Sequence, residues 1–145
     1  MLRVKPTIGP AIDHMIRGLF LVLLLSTALA SAQEQRRVYE LRTYHCFDSK
    51  LDALKANFRD FDIRILKRHG IESIGYWVPE DPELAAKTLV FLLAHPSRAA
   101  ANKNRAEFAK DPEFTKLAAD SQKAGPIVQK VDSMYLDATD FSPLK

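Results

Sequence analysis

Cysteine is all but missing from the 145-residue chain: there is one, Cys46. A single thiol excludes a disulfide scaffold, a Cys-x-x-Cys redox motif and a thiolate metal cage. Glycine is scarce too, with five residues, which leaves little material for a phosphate-cradling loop. Neither a Gly-x-Ser-x-Gly elbow nor a His-Glu-x-x-His pair occurs. The longest uncharged apolar stretch, Gly18 to Ala32, has 15 residues, whereas a membrane-spanning helix needs about 20. Charge of one sign is lacking as well: 21 Lys and Arg stand against 18 Asp and Glu, a net +3. Collagen-like, disordered, polytopic-membrane and nucleic-acid-binding chains are thereby excluded.

The apolar stretch has the features of an export signal. Arg17 precedes it and Ala30-Ser31-Ala32 closes it in a small-x-small pattern, predicting cleavage between Ala32 and Gln33. Met15 offers a second start. On this reading the protein is exported, periplasmic or secreted, with no stable membrane insertion after cleavage. An uncleaved membrane anchor and a mitochondrial presequence are the alternatives; Asp13 and the dense Leu run argue against the second. Removing Arg3, Lys5, Arg17 and Asp13 leaves 113 residues with 18 basic and 17 acidic side chains, a near-neutral single domain.

After a polar lead-in at 33–36, Arg37–His45 alternates and is rich in Val, Tyr and Thr, which predicts a strand. Tyr39, Leu41, Thr43 and His45 share one face; Val38, Glu40, Arg42 and Tyr44 share the other. Ser49 and Asp52 are spaced as a capping box for a helix running to about His69. Leu51, Leu54, Phe58, Phe61 and Ile65 form its apolar stripe, and Gly70 stands where a left-handed C-cap belongs. Its charged residues, Lys50, Lys55, Arg59, Asp62 and Lys67, read as a solvated face. Ile71–Val78 is a second strand, and the polar link to Lys87 a hairpin connection. Thr88–Ala94 is a third strand, apolar on both faces. Ser97 caps a helix from Arg98 to about Lys110, and Asp111-Pro112-Glu113 starts another that Gly125-Pro126 ends. Ile127–Leu136 is the last strand, followed by the tail 137–145.

This order is βαββαβ. With right-handed crossovers it becomes a four-stranded antiparallel sheet with helices on one face, a ferredoxin-like α+β sandwich. Both faces of the third strand are apolar, and helices can cover one of them. The expectation is a homodimer packed through the open sheet face. The alternative is a monomer whose tail folds over that face.

The segment Tyr39-Glu40-Leu41-Arg42-Thr43-Tyr44 resembles the opening of a NIPSNAP domain. Lys50-Leu51, His69-Gly70, Gly75-Tyr76-Trp77, Asp111-Pro112-Glu113-Phe114 and Phe141-Ser142-Pro143-Leu144 extend the resemblance over residues 37–145. It implies a dimeric α/β barrel and little about activity. Animal members are linked to mitochondria and vesicle transport, and the wider superfamily includes small monooxygenases, haem-degrading enzymes and members that only bind. Two departures stand out. Phe114 occupies a position that is often Trp. Ala100 and Ala101 lie where the family often has an Arg, with Arg98 and Arg105 as substitutes for any contact that Arg makes.

Glu40, Arg42 and Tyr44 lie on one strand face and belong to that signature. A Glu and an Arg so placed pair, and on a covered face they must. They form either a structural salt bridge or a polar patch in a cavity or at the dimer seam. With Tyr76 and His95 they make up the candidate ligand pocket: Glu40, Arg42, Tyr44, Tyr76 and His95. No metal site is expected. His45 and His95 fall at opposite ends of the sheet; His69 and His95 come near the same end, which leaves a two-His site as the alternative to capping and surface roles. Cys46 and His45 are neighbours on a strand and point apart, which argues against a nucleophile–base pair. No cofactor is called for. The sequence supports a binding or interaction module for a small apolar ligand; the alternative is a cofactor-independent enzyme of the monooxygenase-like barrel type. A cavity on which Arg42, Tyr44, Tyr76 and His95 converge would favour the enzyme, and a filled interior the module.

Overall fold

The computed structural model describes residues 36–145. The expected signal at 1–32 with its Ala32–Gln33 cleavage site, and all of the lead-in but residue 36, lie outside the described residues.

Four strands, β1 (Val38–Cys46), β2 (Glu72–Trp77), β3 (Thr88–His95) and β4 (Val128–Asp137), form one antiparallel sheet in the order β2-β3-β1-β4. That is the ferredoxin-like arrangement expected from βαββαβ. β1 lies in the centre, pairing Arg42 with Phe91 on β3 and with Ser133 on β4. The first crossover comprises α1 (Leu51–Asn57), a π-helical turn (Phe58–Asp62) and α2 (Ile63–Arg68). The second comprises α4 (Arg98–Ala109), α5 (Pro112–Ser121) and a short 3-10 turn (Gln122–Ala124).

Local signals account for most boundaries. Gly70 takes φ +69, ending α2 in the left-handed conformation that a Cβ disfavours. The Ser97 hydroxyl accepts from the Ala100 N–H at the start of α4. Asp111 accepts from the N–H groups of Glu113 and Phe114, with Pro112 in the first turn of α5.

Three expectations are corrected. The Ser49–Asp52 capping box does not form: Ser49 itself adopts φ +62, Lys50 takes the N-cap without a side-chain bond, and Asp52 pairs with Lys55. The link between β2 and β3 is not a plain hairpin connection but holds a short helix, α3 (Pro82–Ala85), capped by Asp81. The first helix is not α-helical throughout, because the π turn adds a residue to its middle.

The core lies between the helices and one sheet face, built from Leu51, Leu54, Phe58, Ile65, Leu66, Leu89, Phe91, Leu93 and Phe108. On the opposite face Trp77 is 52% exposed, Met134 57% and Leu136 37%, with Leu41, Val90 and Leu92 half-buried among them. The tail reaches one end of this face, where the Tyr39 hydroxyl donates to the Lys145 carbonyl at 3.0 Å. It leaves Trp77 and Met134 uncovered, and its own Phe141 is exposed.

Candidate functional site

The alternation of β1 turns Glu40, Arg42 and Tyr44 toward the helices. Glu40 is sealed from solvent and is the hub of a polar cluster. Its Oε1 accepts from Arg42 at 2.5 Å and from the Ser133 hydroxyl at 2.9 Å. Its Oε2 accepts from His95 Nε2 at 3.1 Å, with Arg105 Nε 3.8 Å away. An ionised carboxylate only accepts, so His95 carries its proton on Nε2. Burial by itself would raise the Glu40 carboxyl. The hydrogen bonds from His95 and Arg42 and the charges of Arg105 and Arg42 overcome it and hold the group at about 2. Arg42 continues to the Tyr44 hydroxyl at 3.4 Å.

Beside this cluster lies a cavity of about 260 Å³. Tyr44, Phe58, Phe61, Phe91, Phe108 and Phe114 give it aromatic walls, and Arg105 and Asp62 supply its charged groups. Tyr44 and Arg105 therefore belong both to the cavity wall and to the Glu40 cluster. Of the sequence-derived candidates, Glu40, Arg42, Tyr44 and His95 come together. Among those four, Tyr44 alone lines the cavity, while Glu40 and His95 are sealed behind it. Tyr76 stands apart, stacked on Phe91 at 5.4 Å and hydrogen-bonded to Ser73 at 2.7 Å.

Asp62 was assigned to the solvated helix face, and the structure corrects this: it lines the cavity. The signal was in the spacing. Asp62 lies four residues after Phe58 and three before Ile65, both buried, so helical periodicity puts it on the apolar stripe. Arg105 entered the sequence reading only as a substitute for an absent Arg.

Each described histidine faces a carboxylate: His45 with Asp132, His69 with Asp111 and His95 with Glu40. His45 and His95 do lie at opposite ends of the β1–β3 pair, opposite Thr88 and Val38. Among the described residues no three His, Cys, Asp or Glu side chains gather into a group able to hold a metal ion. Asp111 ties α2 to α5, accepting from His69 and from Arg68, both at 2.7 Å, while it caps α5.

The NIPSNAP family model matches residues 39–143. The chain belongs to the NIPSNAP family. Solved structures agree with the fold of this NIPSNAP domain. A NIPSNAP family protein of unknown function from Agrobacterium tumefaciens superposes with a TM-score of 0.65 at 23% identity, covering 77% of this chain and 96% of that one. An uncharacterized NIPSNAP-like protein from Burkholderia xenovorans gives 0.65 at 19%, covering 75% and 90%. A candidate antibiotic biosynthesis monooxygenase from Nitrosomonas europaea gives 0.54 at 11%, covering 74% and 95%, a likeness of fold. No curated protein matches the chain.

Proposed function

We propose that this NIPSNAP domain is an exported homodimeric binding module whose aromatic cavity seats a small apolar ligand. The cavity carries the reading. A dry engineered cavity of about 150 Å³ takes benzene, so about 260 Å³ between six aromatic rings suits a molecule of one or two rings. In the charged cluster behind it Glu40 is satisfied by Arg42, Ser133 and His95, as a salt bridge that holds the sheet would be, while Arg42 Nε and His95 Nδ1 are buried without a hydrogen-bond partner among the described residues.

The dimer reading rests on the open sheet face. A Trp, a Met and a Leu exposed together on a sheet that has helices on its other side form a patch that a second copy would cover. Export rests on the leader at 1–32 alone. Native mass spectrometry of protein purified from its own compartment tests the three together. The expected species is a dimer of chains beginning at Gln33 that retains a small organic molecule. A monomer that carries nothing contradicts the reading.

A cofactor-independent enzyme is the second reading, kept because Asp62 and Arg105 bring ionisable groups to the cavity. Against it, only Tyr44 of Arg42, Tyr44, Tyr76 and His95 reaches the lining. Recovery of the retained molecule unchanged after incubation in air supports binding; its conversion supports the enzyme.

A further inference from the structure

Asp62 is the one acid in a wall otherwise made mainly of rings and aliphatic side chains. Among the described residues it has no hydrogen-bond or ion-pair partner, whereas Glu40 has four. It sits on the π turn, whose Phe58 and Phe61 line the cavity with it, and such turns recur at functional sites. Burial drives its carboxyl up to about 6 with no opposing contact. The ionisable groups around it are few. β1 contributes the Tyr44 hydroxyl and α4 contributes Arg105, both in the lining. From β2 comes the Tyr76 hydroxyl, whose own ionisation burial and the Asp62 charge oppose. α5 and the turn after it present Phe114, Leu117, Ala118, Ser121 and Gln122, none of which titrates.

This surrounding decides what Asp62 recognises. An ammonium group on a ligand would be desolvated in an apolar cavity that already holds the Arg105 cation, which disfavours it. A bare hydrocarbon would strip water from the carboxyl and leave it unpaired. An oxygen acceptor satisfies the neutral acid and fits the rings. Taking the cavity to be the ligand seat, we propose that Asp62 determines ligand class, donating a hydrogen bond from its carboxylic acid to a carbonyl or ether oxygen on a neutral aromatic molecule of one or two rings.

The test uses three probes of nearly one shape: acetylnaphthalene, its hydrocarbon isostere isopropenylnaphthalene, and the corresponding naphthylethylamine. Binding to the purified protein is measured by calorimetry at about pH 5 and about pH 8, either side of the Asp62 titration. The proposal expects the ketone to bind about tenfold tighter than the hydrocarbon at the lower pH, the scale of one neutral hydrogen bond. That preference falls away at the higher pH. Asp62→Asn keeps an N–H donor and retains the preference at both pH values. Asp62→Leu binds ketone and hydrocarbon alike. Equal binding of ketone and hydrocarbon by the unaltered protein at the lower pH overturns the proposal and leaves the cavity as a ligand seat, as does tightest binding of the amine. Failure of all three probes to bind the unaltered protein removes the cavity reading and the proposal with it. Carbon NMR of the Asp62 carboxyl supplies a readout free of variants: its titration moves upward when the ketone is added, and an unmoved titration in a saturated complex overturns the proposal.

Discussion

Trp77 lies over Gly75 on the open face of the sheet, so close that a Cβ on Gly75 would stand 2.6 Å from Cη2 of the indole. The glycine lets the ring lie against β2 beside Val90, its partner on β3. This is the chain's single tryptophan, so its fluorescence reports this face alone. Emission is expected to shift to the blue with rising concentration as a second copy covers the ring. Trp77→Ala weakens self-association by about 2 kcal/mol or more, the scale of a buried interface Trp, read by sedimentation. Gly75→Ala leaves the fold intact, because the ring is exposed and can swing away, yet it weakens the same association. A concentration-independent monomer with unshifted emission rules out the interface.

Glu40 is buried and accepts hydrogen bonds from Arg42, His95 and Ser133. Glu40→Gln removes the charge that Arg42, Arg105 and His95 share and leaves two guanidinium groups facing each other. Breaking a buried pair of this kind costs about 3–5 kcal/mol, measured by urea denaturation. Arg42→Met leaves Glu40 with Arg105, His95 and Ser133 and costs less. If Arg42→Met lowers stability without specific loss of ligand, the cluster is purely structural.

Two helix caps carry unequal weight. Ser97→Ala removes one N-terminal acceptor from α4 and lowers stability by about 1 kcal/mol. Asp111→Ala removes the α5 cap and at the same time takes from His69 its side-chain partner and leaves Arg68 with Glu113 alone. Its loss is expected to exceed that of Ser97→Ala in the same thermal melts. Equal losses mean that the ties to α2 contribute nothing.

The caps, the alternation of β1 and the left-handed Gly70 were legible in the sequence because each depends on a residue and its near neighbours. A Ser before a helix or an Asp-Pro pair at its start signals itself regardless of what packs above. The Ser49–Asp52 spacing failed because a residue at positive φ cannot serve as the cap. The π turn was not legible, since one residue added to a helix leaves no mark in the spacing of Phe58, Phe61 and Ile65, which also suits an unbroken α-helix. The Glu40–Arg42 pairing was legible from strand periodicity. The separation of Tyr76 from the cluster was not, because Tyr76 lies on β2, a strand removed from β1, and its distance is set by β3 between them. Asp62 was legible from its place between Phe58 and Ile65, but its charge drew it to the wrong face.

Glu40 and Asp62 give the protein opposite responses to acid. Glu40 sits at about 2, below its ordinary 4.5. The folded form thus releases that proton more readily, and the stability this adds is complete above about 4.5 and lost as pH falls toward 2. Asp62 sits at about 6, above its ordinary 3.8. The folded form holds that proton more tightly, so its contribution is complete below 3.8 and lost as pH rises through 6. Each shift is worth up to about 3 kcal/mol at 1.36 kcal/mol per unit, less for Asp62, which is partly exposed to water. Stability is therefore expected to peak between the two transitions, at mildly acid pH, and to fall toward neutrality. Asp62→Asn should remove the fall on the alkaline side and stabilise the protein at neutral pH, while the acid limb stays. Urea midpoints across the pH range, compared between the variant and the unaltered protein, decide it. Parallel curves above pH 4 would show that Asp62 ionises as freely in the folded chain as in the unfolded one.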